Sequence, residues 1–188
     1  NGTGDGTQFS PTMNLTRGMV VTVLYRNDGS PKGSFLNSFV DVNGDEYYAT
    51  AAAWAYTENI VTGTGTDEWG DPIFSPDRNI TRQELATMFV RYAAYVHVIT
   101  ESGASLDKFS DKASVAAWAT DAMKWATGSG LINGTGNGDT LSPTGKATRE
   151  QFAAIIHRFD TAKFDYNLAY AEPQVFSEYT EQPYPLVN

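Results

Sequence analysis

The sequence has 188 residues, 22 of them acidic and 13 basic, for a formal net charge of −9, and it contains no cysteine. This length is enough for one domain with its own core or for a few small repeats. Without cysteine the chain has no disulfide scaffold, thiolate zinc site or cysteine nucleophile. The acidic balance disfavours general nucleic-acid binding. No apolar run approaches the roughly 18 residues of a membrane span, so none is predicted.

In chain order, the first feature is a phrase that occurs three times. It consists of a Gly-Thr-Gly loop or its close variant, a Phe-Ser-Pro or Leu-Ser-Pro segment and a Thr-Arg pair, at Thr16-Arg17, Thr81-Arg82 and Thr148-Arg149. A second phrase precedes the later two copies: Phe39-Val-Asp41 and Phe109-Ser-Asp111 each lead into an alanine-rich stretch with a tryptophan, Trp54 or Trp125. The repetition predicts an incomplete repeat over residues 1–30, complete repeats over 31–99 and 100–160, and an aromatic, proline-rich tail over 161–188. Because the sequence starts within a repeated loop, we expect it to begin inside a longer precursor.

Each complete repeat is predicted to contain two helices. The alanine-rich stretches predict first helices over residues 47–59 and 115–129. Second helices are predicted to begin at Thr16, Thr81 and Thr148, and an acid or amide three residues on gives the latter two the spacing of a capping box. Apolar stripes along the second helices, together with Trp54 and Trp125, are assigned to the core. The sequence predicts a positive φ for Gly63, Gly130 and Gly134, which fall at helix ends and tight turns.

The repeated residues resemble S-layer homology repeats. Ile80-Thr81-Arg82-Gln83-Glu84 matches the family motif best, and residues 147–151 and 15–19 match it progressively less well, because Gly18-Met19 replaces the usual small-acidic pair. The resemblance covers about residues 1–160. It implies an all-α fold, a pseudo-threefold helical bundle in which the first repeat lacks its first helix. It also implies a non-catalytic anchor on the bacterial cell surface that binds acidic, often pyruvylated, secondary cell-wall polysaccharide in grooves between repeats. In the family the arginine of the Thr-Arg pair is a main contact for the anionic sugar, which here implies Arg17, Arg82 and Arg149.

Considered without the family, six of the seven arginines form two columns nine residues apart. The first column, Arg17, Arg82 and Arg149, occupies the first helical position, where a cation opposes the helix dipole. An anionic ligand would explain it, because free backbone N–H groups and a guanidinium would face the same carboxylate or phosphate. The alternative is an ion pair with a nearby aspartate, Asp41 or Asp111. The second column, Arg26, Arg91 and Arg158, lies near the helix ends, where the dipole and stem packing favour a cation without any ligand.

Further ligand candidates flank the arginines. The loops after Gly63 and Gly134 are expected to close each groove. Trp69 lies in an insertion of the second repeat that has no core periodicity, which favours an exposed contact with a sugar ring. Tyr47 and Trp118, which align between the repeats, are additional aromatic candidates.

No catalytic or metal-binding constellation stands out. Asp41 opens a stretch with the initial spacing of a calcium loop, but Glu46 and Ala52 occupy the positions that need a glycine and an acid. No serine with a partner base is apparent, and His97 and His157 do not align between repeats. The sequence therefore predicts a carbohydrate-binding anchor without a cofactor, and not an enzyme. The alternative is a self-assembling structural subunit of a surface layer or filament, in which a neighbouring chain or an upstream segment completes the first repeat.

Overall fold

A computed structural model describes residues 8–98 and 104–169, with side chains as far as residue 162. This part of the chain is helix-rich, with helices α1 (Arg17–Asn27), α2 (Ala49–Thr57), α3 (Arg82–Tyr95), α4 (Thr120–Gly128) and α5 (Arg149–Ala169). Strands β1 (Gly65–Thr66) and β2 (Pro72–Ile73) form a short antiparallel hairpin. Two 3₁₀ turns, Lys112–Ser114 and Ala117–Ala119, precede α4. The opening Gly-Thr-Gly loop and residues 170–188 of the predicted tail lie outside the described residues.

Threonine caps start the second helices α1, α3 and α5, as predicted. Thr16 Oγ1 accepts a hydrogen bond of 3.3 Å from the amide three residues on. Thr81 and Glu84 form a complete capping box on α3, and Thr148 and Gln151 exchange the equivalent two bonds, each 3.4 Å, on α5. These bonds pair N–H groups that the first turn of a helix leaves free. The three starts are therefore fixed by local sequence.

The first helices are shorter than the alanine-rich stretches predict. Helix α2 begins at Ala49 instead of residue 47, and α4 begins at Thr120 instead of residue 115. No side chain caps either start, so packing against neighbouring helices decides where they begin. The C-terminal ends of α2 and α4 are fixed by local sequence. Asn59 (φ +58°) follows α2 and Gly130 (φ +72°) follows α4, and both adopt the left-handed conformation that ends a helix.

Gly63 and Gly134 are required for different reasons. The predicted positive φ is confirmed for Gly63, at +92°, and for Gly130, and it is wrong for Gly134. A Cβ atom on Gly134 would lie 2.3 Å from the carbonyl oxygen of Gly138, so a close approach of the backbone excludes any side chain there. Glycine is therefore needed at position 134 because the backbone of Gly138 leaves no room for a side chain, and not because the loop requires a left-handed φ.

The core is continuous across the repeats, and Trp54 lies inside it with no exposed surface. The rings of Tyr25 and Tyr95 meet Trp54 edge-on at centroid distances of 5.4 and 5.6 Å, a favourable aromatic geometry. Trp125 is also buried, so the core assignment of both tryptophans is confirmed. Helix α1 packs on α2, and α3 packs on α4. Each of these second helices thus packs against the first helix of the following repeat.

The three repeats also meet through their backbones, just before the second helices. Leu15 N donates to Ala147 O (2.9 Å), Ala147 N to Ile80 O (3.0 Å), and Ile80 N to Leu15 O (3.0 Å). All three residues are buried. The hydrogen bonds form a closed cycle, so the start of each second helix is held by both other repeats.

Candidate ligand-binding grooves

Each first-column arginine is fastened to the Phe-Ser-Pro or Leu-Ser-Pro segment of another repeat. Arg17 Nε donates to Phe74 O (2.8 Å), Arg82 Nε to Leu141 O (2.7 Å), and Arg149 Nε to Phe9 O (2.8 Å). Arg17 and Arg82 are buried, with exposures of 3% and 6%. The chain thus repeats one contact three times, and in each case the donor is Nε.

The aspartates hold the same segments from the other side. Asp41 accepts hydrogen bonds from Phe74 N (2.8 Å) and Ser75 N (2.7 Å). Asp111 accepts the equivalent two bonds, both 2.7 Å, from Leu141 N and Ser142 N. Among the described residues no ion pair within 4.0 Å joins either aspartate to a first-column arginine. The alternative of a direct arginine–aspartate bridge is therefore wrong, because a peptide group lies between the two charges and hydrogen-bonds to both.

A groove opens beside each first-column arginine. Groove A, beside Arg17, has a volume of about 710 Å³; groove B, beside Arg82, about 420 Å³; and groove C, beside Arg149, about 930 Å³. One wall comes from the second helix of another repeat, at positions two, five, six and nine residues after the arginine of that helix: Glu84, Thr87, Met88 and Arg91 in groove A; Gln151, Ala154, Ile155 and Arg158 in groove B; Met19, Thr22, Val23 and Arg26 in groove C.

The second-column arginines therefore line the grooves, which the sequence interpretation missed. Arg91, Arg158 and Arg26 each face the groove whose floor carries a first-column arginine of a different repeat. The nine-residue spacing within a helix was visible in the sequence. The pairing of columns from different repeats was not, because it depends on how the repeats dock.

The structure places some of the other predicted site residues in the grooves and one outside them. Gly63 lines groove A and Gly134 lines groove B. Trp69 lies at the tip of the β1–β2 hairpin with 78% of its surface exposed and lines none of the three grooves. The aligned aromatics are placed differently: Trp118 (59% exposed) borders groove A and Tyr47 (60% exposed) borders groove C.

The electrostatic environments of the two buried arginines differ. Burial lowers the pKa of Arg17 to about 10, and the nearby carboxylate of Glu84 only partly opposes the shift. Its Nη1 lies 4.0 Å from Glu84 Oε1. Burial also lowers the pKa of Arg82, with Asp111 opposing. Arg82 in addition donates from Nη2 to Asn133 O (2.8 Å) and from Nη1 to the side chain of Gln151 (3.3 Å). Both guanidinium groups are charged at neutral pH, but only Arg82 has its terminal nitrogens hydrogen-bonded within the described structure.

The described residues contain no cluster of three histidine, aspartate or glutamate side chains that could hold a metal ion. Over the same part of the chain, no helix is both long and apolar enough to cross a membrane. What the grooves offer is cationic and hydroxyl-rich: guanidinium groups together with threonine and serine hydroxyls such as the Thr64–Ser75 pair, which lie 2.8 Å apart in groove A. Such a surface suits an acidic, hydroxylated ligand.

Comparison with known proteins decides the family. The family model for the S-layer homology domain matches residues 38–86 and 108–153, about half of the chain. The chain belongs to the S-layer homology family. This confirms the resemblance drawn from the repeated motifs and places the chain at the bacterial cell surface.

Relatives carry the S-layer homology region within much longer chains. An amylopullulanase of Thermoanaerobacterium thermosulfurigenes is 29% identical over 80% of this chain and 8% of its own. An endoglucanase of Bacillus sp. (strain KSM-635) is 33% identical over 80% of this chain and 15% of its own. The surface-layer 125 kDa protein of Lysinibacillus sphaericus is 28% identical over 80% of this chain and 12% of its own. The S-layer homology domain is a non-catalytic anchoring module, and this chain corresponds to that region of the enzymes.

Proposed function

We propose that this chain anchors a protein to the bacterial cell wall by binding an acidic, pyruvylated secondary wall polysaccharide in the grooves between its repeats. The observation that carries the proposal is the threefold recurrence of one arrangement, an arginine of one repeat fastened to the Ser-Pro segment of another at the floor of a groove. The closed backbone cycle among Leu15, Ile80 and Ala147 supports a pseudo-threefold axis that relates the grooves.

The arginines are suited to bind a carboxylate because their geometry is set before the ligand arrives. Each Nε is bonded to a carbonyl whose peptide group is itself held, in the two complete repeats, by Asp41 or Asp111. A guanidinium that is already oriented loses little conformational entropy when it binds an anion. The aspartates thus act as positioning residues, and Arg17, Arg82 and Arg149 are the contact residues.

The dimensions and walls of the grooves favour a sugar over a bare anion. Volumes of about 420–930 Å³ lie in the range of pockets that hold small organic molecules. The loops that contain Gly63 and Gly134 supply threonine hydroxyls, and Trp118 and Tyr47 present exposed rings at two of the grooves. Aromatic rings pack against the apolar faces of sugars. A contact from Trp69 would require a polymer that extends along the hairpin, outside the grooves.

The proposal is tested by binding of the chain to purified wall polysaccharide before and after removal of its pyruvate. Binding should fall at least tenfold when the pyruvate is removed, because a charged hydrogen bond contributes about 1.5–3 kcal/mol. Replacing Arg17, Arg82 and Arg149 together by methionine should have the same effect in chains whose circular dichroism remains helical. Equal binding to the native and pyruvate-free polymers would refute the proposal.

A second candidate function, self-assembly, rests on an open face of α5. The corresponding positions in the other second helices, Val21 and Ala86, have no exposed surface, because α2 and α4 pack near them. On α5 the aligned Ala153 and the nearby His157 are exposed, Ile156 is only half-buried, and all three line groove C. We propose, as this second candidate, that a helix from another copy of the chain occupies this face and with it part of groove C.

Light scattering over a range of protein concentrations separates the two candidates. Self-assembly predicts a mass that rises with concentration and an Ala153→Arg variant that stays monomeric. A strict monomer at all concentrations would refute self-assembly and leave the anchoring function in place.

A further inference from the structure

We propose that the three grooves are unequal and that groove A is the principal anion-binding site, where Arg17 and Arg91 bind the carboxylate of an acidic sugar whose ring packs on Trp118. This assignment rests on the proposed function and names the subsite that performs it. It differs from the sequence motif, in which the Thr-Arg pair of the first repeat matches the family least well.

The two buried guanidinium groups differ first in how many hydrogen bonds they make within the protein. Arg82 uses three of its nitrogens within the protein, through bonds to Leu141 O, Asn133 O and Gln151. Arg17 is more deeply buried, yet among the described residues only its Nε makes a hydrogen bond, to Phe74 O. Its other contacts are a 4.0 Å ion pair from Nη1 to Glu84 Oε1 and the ring of Phe74, whose centroid lies 4.9 Å from Cζ. A buried cation with unbonded N–H groups is unfavourable unless a ligand completes it. Groove A therefore offers free donors at its floor, and groove B does not.

The two grooves have different residues at one aligned position of the lining helix, which explains this difference. Two residues after the arginine of the lining helix, groove B has Gln151, whose side-chain oxygen accepts from Arg82. Groove A has Glu84, which is already bonded to Thr81 through one oxygen and to Arg78 through the other. Glu84 Oε1 remains 4.0 Å from Arg17. The carboxylate that could neutralise Arg17 is thus largely committed to other partners.

The second observation is the surrounding charge. Groove A contains three arginines, Arg17, Arg78 and Arg91, and one carboxylate, Glu84. Arg91 makes no side-chain hydrogen bond or ion pair with the described residues. In groove B the equivalent Arg158 donates to Leu131 O (3.0 Å). Groove A is therefore the more cationic site, and its second-column arginine has its donors free for an anion.

The third observation is the aromatic wall. Trp118 lies on the Ala117–Ala119 turn of the third repeat, is 59% exposed and borders groove A, which the first two repeats otherwise form. Groove B has no aromatic residue in its lining. Groove C has the aligned Tyr47, but it is larger and includes the carboxylate of Asp160. Groove A alone, among the described grooves, combines unbonded buried donors, an excess of cations and an indole face.

The test is calorimetric titration of the whole chain with a methyl hexoside that carries a 4,6-O-(1-carboxyethylidene) ketal, and with the uncharged methyl ester of the same glycoside. We expect the ester to bind at least tenfold more weakly than the acid. Arg17→Met should weaken binding of the acid at least tenfold, and Trp118→Ala at least threefold. Lys146→Met and Trp69→Ala, at exposed residues that line none of the three grooves, serve as matched controls and should change the affinity less than twofold. Arg82→Met should weaken binding less than Arg17→Met does.

Folding of each variant is followed by circular dichroism. Trp118→Ala replaces an exposed side chain, so it tests groove A even if Arg17→Met fails to fold. A loss of affinity in Arg82→Met that exceeds the loss in Arg17→Met or Trp118→Ala would overturn the assignment while the anchoring function stands. Equal binding of acid and ester would also overturn it. If the unmodified chain binds neither the glycoside nor the wall polymer, the proposed function fails as well.

Discussion

Replacing each of the two buried arginines by methionine should affect folding stability differently. Methionine fills a similar space without charge or donors. In Arg82→Met the carbonyl of Leu141, a residue with no exposed surface, loses its partner, and an unpaired buried carbonyl costs about 1–3 kcal/mol. The bonds from Arg82 to Asn133 and Gln151 lie nearer the surface, where water replaces them, and add about 1 kcal/mol. The variant should lose about 2–4 kcal/mol in all.

Arg17→Met removes an equivalent bond, because Phe74 O is left without its partner. It also removes a buried charge whose partners are a 4.0 Å ion pair with Glu84 and the face of the Phe74 ring. Lowering the pKa of Arg17 from its ordinary value to about 10 corresponds to roughly 3 kcal/mol against the charged form. The two effects oppose each other, so the free energy of unfolding should change by no more than about 1 kcal/mol. The burial of Arg17 is unfavourable for folding, as expected of a residue that the proposed function assigns to ligand binding.

Urea denaturation followed by circular dichroism measures both changes, and equal m-values establish that the variants share the same unfolded reference state. In thermal melts the Tm of Arg82→Met should be about 5–15 °C below that of the unaltered protein, and the Tm of Arg17→Met should be nearly unchanged. If Arg17→Met is as destabilised as Arg82→Met, the terminal nitrogens of Arg17 are hydrogen-bonded in the folded protein, and groove A has no free donors at its floor.

Three further predictions concern the supports of the grooves. Asp41→Ala should destabilise the fold by about 2–4 kcal/mol, because two partly buried amides lose their acceptor. Asp45→Ala, at an exposed position, should be neutral in the same urea titration. Burial favours the neutral form of Glu84, but hydrogen bonds from Thr81 and Arg78 outweigh it and lower the pKa of this carboxyl. The stabilisation from Glu84 is therefore present above the ordinary glutamate pKa and is lost as the pH falls through the lowered pKa. Glu84→Gln should flatten the dependence of stability on pH below about pH 5, and an unchanged dependence would refute this. Gly63→Ala should cost about 2 kcal/mol or more, because φ is +92° and a Cβ atom would lie 2.7 Å from a carbonyl oxygen, while Gly44→Ala, with open space around it, should melt within a few degrees of the unaltered protein.

Features set within a few residues could be predicted well. The caps at Thr16, Thr81 and Thr148 need only a side chain and the amides of the next turn, and the apolar stripes follow from the helical period. The starts of α2 and α4 could not be predicted to the residue, because no cap fixes them. Gly134 shows a related limit: its sequence context indicates a turn, but the collision that excludes a side chain involves a backbone oxygen four residues away.

The same distinction between local and tertiary features applies to the candidate site. The sequence by itself determined the family, the repeat period and the unusual arginines at three helix starts, since all of these are patterns along one chain. Only the tertiary structure decided which groove each arginine enters, that a peptide group separates it from the aspartate, and that the second-column arginines face the same grooves. These relations join residues from different repeats, and the sequence spacing does not specify how the repeats dock. Arg17, the arginine that the motif favours least, makes one hydrogen bond where Arg82 makes three, because Glu84 in the facing helix is occupied by Arg78 and its own cap.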